Sequence, residues 1–134
     1  MNNDQVEANL EAQKRIDIQD RTFKFGVRII KFVDKLPRTL SATEVGRPLL
    51  RSGTSIAANM EEANGAESKS DFSHKVRIAY KEARETRLWL GMIEAARLTE
   101  ITEIKELYVE SDELVRILFA ILRKARSTRA VPQH

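Results

Sequence analysis

Apolar residues recur three and four positions apart over four long stretches of this chain, and the breaks between the stretches are short. That period matches an α-helix of 3.6 residues per turn, and strand-like alternation over any length is absent. Phe23, Phe25, Val27, Ile29, Ile30, Phe32, Val33 and Leu36 mark a first strong helix over about 21–36. Pro37 ends it, because proline lacks the amide that a continuing helix needs. Val45, Leu49, Ile56 and Met60 mark a second helix that stops at Asn64-Gly65. Ser41 followed by Glu44 has the spacing of a capping box at its start. Phe72, Val76, Ala79, Ala83, Trp89 and Ile93 mark a third, opened by Ser68 or Ser70 and running to about Leu98. Ile104, Leu107, Leu114, Leu118 and Leu122 mark a fourth, capped by Thr102 and running to about Arg126. Four amphipathic helices with short connectors predict an all-α antiparallel up-down-up-down four-helix bundle.

With 134 residues the chain is long enough for one well-filled core. The bundle is expected over 20–127. Residues 1–19 have sparse apolar positions and read as an N-terminal arm, helical or disordered, with Asp20 capping the helix that follows. Residues 128–134 read as a frayed tail. There is no cysteine, which removes disulfides and thiolate metal sites. No signal-peptide pattern or membrane span is visible, so the cytoplasm is the default location and a membrane partner is not expected.

The stretch Arg51 to Ser70 is unusually small and polar. It is no phosphate-binding loop: Gly46 and Gly53 are wrongly spaced and no lysine follows Gly53. It is no nucleophile elbow, since Gly53-Thr54-Ser55-Ile56-Ala57 lacks the second glycine. The two histidines, His74 and His134, are poorly placed to serve as a catalytic base, and no Glu is followed three residues later by His as di-metal bundles require. Neither an enzyme, a metal site nor a cofactor is expected. Ser52, Ser55 and Asn59 fall on one helix side. Small side chains there permit close helix approach, and buried hydroxyls and amides then need partners. Ser55 and Asn59 are expected buried against the third helix, with Arg51, Glu62 and Glu82 completing a polar core.

Charge is segregated. Residues 20–51 carry eight Lys/Arg against three Asp/Glu, 101–115 carry one against five, and 116–134 carry five against none. Arg21, Lys24, Arg28, Lys31 and Lys35 line one face of the first helix at 3, 4, 3, 4 spacing, with no acid at those positions. Arg77, Lys81 and Arg84 repeat the pattern on the third helix, and Arg123, Lys124 and Arg126 add cations on the fourth. Such stripes suit sequence-independent contacts to the phosphates of RNA or DNA. No known nucleic-acid motif and no aromatic platform is evident. Glu103, Glu106, Glu110 and Glu113 form a matching acidic stripe on the fourth helix. If it faced the basic stripe of a neighbouring copy, the chain would be a self-assembling interaction scaffold with no nucleic-acid role.

The segment around Ser55, Ile56, Asn59, Glu62, Ser68, Asp71-Phe72 and Lys75, followed by Ala79 to Thr86 and Trp89-Leu90, is similar to a known family. These are the small bacterial four-helix-bundle proteins first noticed as open reading frames in intervening sequences of large-subunit ribosomal RNA genes. The resemblance spans about residues 20–125, and Pro48-Leu49 departs from the unbroken helix expected there. It implies a bundle often assembled as a homopentamer and no known enzyme activity. A relative of that family, the accessory subunit of diversity-generating retroelements, is thought to bind nucleic acid and a reverse transcriptase, so both are implied as possible partners.

Overall fold

The computed structural model describes residues 2–129, all but the ends of the chain. It is an antiparallel four-helix bundle of α1 (Asn3–Asp34), α2 (Leu40–Asn64), α3 (Lys69–Ala95) and α4 (Glu103–Arg129). The expected tail, beyond residue 129, lies outside the described residues.

α1 takes the helical of the two forms expected for residues 1–19 and joins it without a break to the helix that follows. Asn2 caps it by accepting from the Gln5 amide at 2.8 Å, and the helix runs unbroken through residues 3–19. Those residues include three Gln, two Glu and two Ala, which lose little freedom in a helix. Asp20 is therefore inside α1 rather than at its start, and it pairs with Lys24 at 2.8 Å. α2 is capped by Thr39, which accepts from the Ala42 amide, and not by the Ser41–Glu44 box. Pro48 falls in its third turn and the helix continues past it. Ser68 caps α3, accepting from the Asp71 amide at 3.0 Å.

α3 closes with a six-to-one bond from the Leu98 amide to the Ile93 carbonyl and a second bond from the Arg97 amide to the Glu94 carbonyl. This geometry needs a left-handed residue between them, usually glycine. Here Arg97 takes that role at φ 53°.

Phe25, Ile29, Phe32, Leu49, Ile56, Leu90, Leu107, Leu114 and Leu118 fill the centre and are fully buried. Where α1 and α2 meet, Gly53 lies under Ile29, and a Cβ on Gly53 would stand 2.8 Å from Ile29 Cγ2. The missing side chain lets the two helices approach. Packing is extensive between α1 and α2, α2 and α3, and α3 and α4, and sparsest between α1 and α4.

Candidate nucleic-acid interface

The α1–α4 seam is held by charge. Arg21 donates from Nε and Nη2 to the two carboxylate oxygens of Glu110, each at 2.7 Å, and Nη2 also reaches Glu113. One turn pair further along, Arg28 pairs with Glu103 and Glu106 at 3.4 Å. Toward the opposite end Lys124 of α4 pairs with Glu11 of α1. The hydrogen bonds that Arg21 donates to Glu110 raise the affinity of its guanidinium for its proton above the usual value. Lys24 is likewise raised by its bond to Asp20. Two points of the sequence reading are corrected. The stripe does have an acid in reach, Asp20, and the acidic stripe of α4 meets the basic stripe of its own chain. Of the five cations of the 21–35 stripe, Lys31 and Lys35 make no ion pair among the described residues.

The small polar side of α2 also differs from expectation. Ser55 and Asn59 are half-buried and bond backward along their own helix, Ser55 Oγ to the Arg51 carbonyl at 2.7 Å and Asn59 Nδ2 to the Ser55 carbonyl at 2.8 Å. Neither hydrogen-bonds α3. The buried member is Ser52, and its partner is Thr86, whose Oγ1 lies 2.9 Å from Ser52 Oγ and also bonds the Glu82 carbonyl. Arg51 instead spans outward to Glu82 and Glu85, which raise its pKa, and Glu62 pairs with Lys75 at 2.9 Å. These are inter-helix ties at the rim of the α2–α3 seam, and the polar core is smaller than expected. Thr86 was legible only as one more polar position, since its depth depends on the turn of α3 facing α2.

The α3–α4 flank gathers what remains. Tyr80 of α3 and Phe119 of α4 meet with ring centroids 5.9 Å apart at 44°. The Arg84 guanidinium sits 5.7 Å from the Tyr80 centroid, within range of cation–π attraction. Phe119 is 45% exposed, an aromatic face that the sequence did not reveal. Arg77, Lys81 and Arg84 lie on the outer side of α3, and Arg123 and Arg126 on the outer side of α4. None of the five makes an ion pair among the described residues. Glu85, beside Arg84 on α3, is held by Arg51 at 2.6 Å, and Asp112 of α4 is occupied by Arg87 at 2.7 Å and Arg116 at 3.0 Å, which hold its carboxyl below the usual range.

Beyond Phe119 the same flank turns apolar, with Leu88, Met92 and Tyr108 exposed around Gly91. On the other side of the bundle α1 and α2 expose Phe23, Ile30 and Leu50. Among the described residues no group of three or more His, Cys, Asp or Glu could hold a metal ion, and no helix is long and apolar enough to cross a membrane.

The sequence profile described as 23S rRNA-intervening sequence protein matches residues 14–120. A crystal structure of a protein of unknown function from the S23 ribosomal protein family of Bacteroides thetaiotaomicron VPI-5482 superposes with a TM-score of 0.75. It is 33% identical, and the match covers 82% of this chain and 98% of that one. No curated protein matches the chain.

Proposed function

The chain belongs to the 23S rRNA-intervening sequence protein family, and from that premise we propose that it binds single-stranded nucleic acid through the α3–α4 flank. One observation carries this reading: Arg84 lies over Tyr80, whose ring meets the exposed ring of Phe119, and Arg77, Lys81, Arg123 and Arg126 sit within two turns of those rings on the same two helices with no ion pair among the described residues. Unpaired cations exchange mobile counterions for phosphates, and the released counterions supply sequence-independent affinity. An exposed aromatic gives successive bases a stacking surface whatever their identity. The α1 stripe is a weaker candidate. Arg21 and Arg28 would have to give up Glu110, Glu113, Glu103 and Glu106 before they could meet phosphate.

Assembly belongs to the same proposal. The apolar half of the α3–α4 flank and the exposed Phe23, Ile30 and Leu50 of α1 and α2 lie on opposite sides of the bundle. Head-to-tail contact of one with the other closes a ring when the rotation permits. The family resemblance implies a homopentamer, and repeated sites on a ring raise avidity without new contacts.

Fluorescence anisotropy with a labelled single-stranded RNA or DNA tests the binding reading. Affinity should fall steeply between ~50 and ~200 mM salt. Changing Lys81, Arg84 and Arg123 together to Gln should weaken binding and flatten the salt slope. The matching change of Lys24, Arg28 and Lys31 should do little. Absence of binding at low salt, or indifference to the first triple change, overturns the reading. Light scattering tests assembly, and Phe23→Glu should reduce the mass toward a monomer.

A further inference from the structure

At the end of the bundle where α2 turns into α3, the first half of α1 leans across the hairpin toward the end of α4. The space beneath it is a cleft of about 850 Å³. Its floor is apolar: Ile18, Met60, Phe72, Ile117 and Ile121 line it. Ser73, only 5% exposed, also lines the cleft, and its hydroxyl has no hydrogen-bond partner among the described residues. A buried hydroxyl without a partner costs free energy, so a polar atom brought into the cleft would be favoured there.

The rim is positive. Lys14, Arg15, Arg21, Lys69 and Lys124 border the cleft, against Glu11 and Asp17. Most of these are already committed. Arg21 holds Glu110 and Glu113, and Glu11 lies between Lys14 and Lys124. Asp17 accepts from Gln13 at 3.0 Å. Of the cations bordering the cleft, Arg15 and Lys69 have no carboxylate partner among the described residues. Arg15 stands 5.3 Å from the centroid of Phe72, and Lys69 is one turn before Phe72 on α3. The two free cations, one ring and the orphan hydroxyl therefore share one corner of the cleft.

We propose that this cleft binds a small organic anion with an apolar body. Its carboxylate or sulfonate lies between Arg15 and Lys69, its body lies on Phe72 and the aliphatic floor, and a polar atom of that body meets Ser73. Apolar walls with a few convergent polar groups are the usual make-up of such sites. This inference is independent of nucleic-acid binding, because it uses none of the residues of the α3–α4 flank.

The probe is 8-anilinonaphthalene-1-sulfonate, an aromatic anion carrying one N–H, titrated into the full chain and followed by its fluorescence. One saturable site per chain is expected, displaced by laurate. Arg15→Glu with Lys69→Glu changes two surface side chains and leaves the core intact. It should weaken binding at least about tenfold, as loss of two charge-assisted contacts requires. Ser73→Ala should weaken it about threefold. Leu40→Lys, at an exposed apolar side chain at the start of α2, should leave the affinity unchanged. Unsaturable fluorescence, an affinity that survives the double charge reversal, or loss of the signal in Leu40→Lys overturns the proposal.

Discussion

Arg21 of α1 grips Glu110 of α4 in a two-pronged ion pair, Nε to one carboxylate oxygen and Nη2 to the other, both at 2.7 Å. The planar fork of arginine matches a carboxylate in this way and lysine cannot reproduce it. Because α1 and α4 approach least closely of the neighbouring helices, the seam relies on such pairs more than the others do. Arg21 is more than a third exposed, so solvent weakens the attraction. Arg21→Ala should cost about 1 kcal/mol in urea unfolding at low salt. The deficit should shrink at high salt, where screening weakens the wild-type pair.

The Ser52–Thr86 bond should behave differently. Both side chains are fully buried, so salt has little access to them. Thr86→Val keeps the volume but strips the hydroxyl that donates to Ser52. Ser52 Oγ keeps its 3.3 Å bond to the Leu49 carbonyl, so the loss should be about 1 kcal/mol. Paired with Ser52→Ala in a double-mutant cycle, the coupling energy should be clearly non-zero. Strict additivity would mean that the two hydroxyls do not depend on each other.

Two glycines of the α1–α2 seam should respond in opposite directions. A Cβ on Gly53 would enter Ile29 at 2.8 Å, so Gly53→Ala forces the seam apart. Overpacking typically costs 1–3 kcal/mol, roughly, which outweighs the ~1 kcal/mol gained by replacing a helical glycine. A Cβ on Gly26 would meet the Gly53 carbonyl oxygen at 3.7 Å, an ordinary contact. Gly26→Ala should therefore keep most of the helix-propensity gain and raise the thermal midpoint. Scanning calorimetry of the two variants measures the contrast.

Asp112 links stability to acid pH. Its carboxyl is held below the usual range first by its hydrogen bond from Arg87, then by Arg116. A carboxyl whose pKa is lower folded than unfolded stabilises the fold above the unfolded value. That contribution disappears as pH falls through the folded value. The thermal midpoint should therefore decline below pH ~4, and Asp112→Asn should flatten that part of the profile. An identical acid limb in the variant would show that Asp112 carries none of it.

Much of the architecture was readable along the chain. Phe25, Ile29 and Phe32 belong to the apolar set that marks the helix, although spacing did not separate them from the exposed Phe23 and Ile30, and Ser68 and Gly65 punctuate the α2–α3 turn as expected. Local signals suffice there because helix period and end-capping depend on residues three or four positions apart. The run Asn3 to Gln19 read as helical or disordered, with no choice between them, because its helix is not defined by an apolar stripe of its own. It forms from good helix formers, the Asn2 cap and continuity with the helix after it.

The partners of charged and polar groups were not readable. Spacing places Arg21 and Arg28 on one face of α1, but it cannot say what that face meets. Their glutamates come from α4, 75 to 92 residues along the chain. Spacing likewise put Ser52, Ser55 and Asn59 on one side of α2, while only the crossing of α3 singled out Ser52 to meet Thr86. Periodicity reports the direction of a side chain from its own helix axis. Whether a cation is spent on a glutamate or left open to phosphate depends on how four axes are rotated against one another, and close packing of Gly53 on Ile29 and of the leucines between the helices sets that rotation.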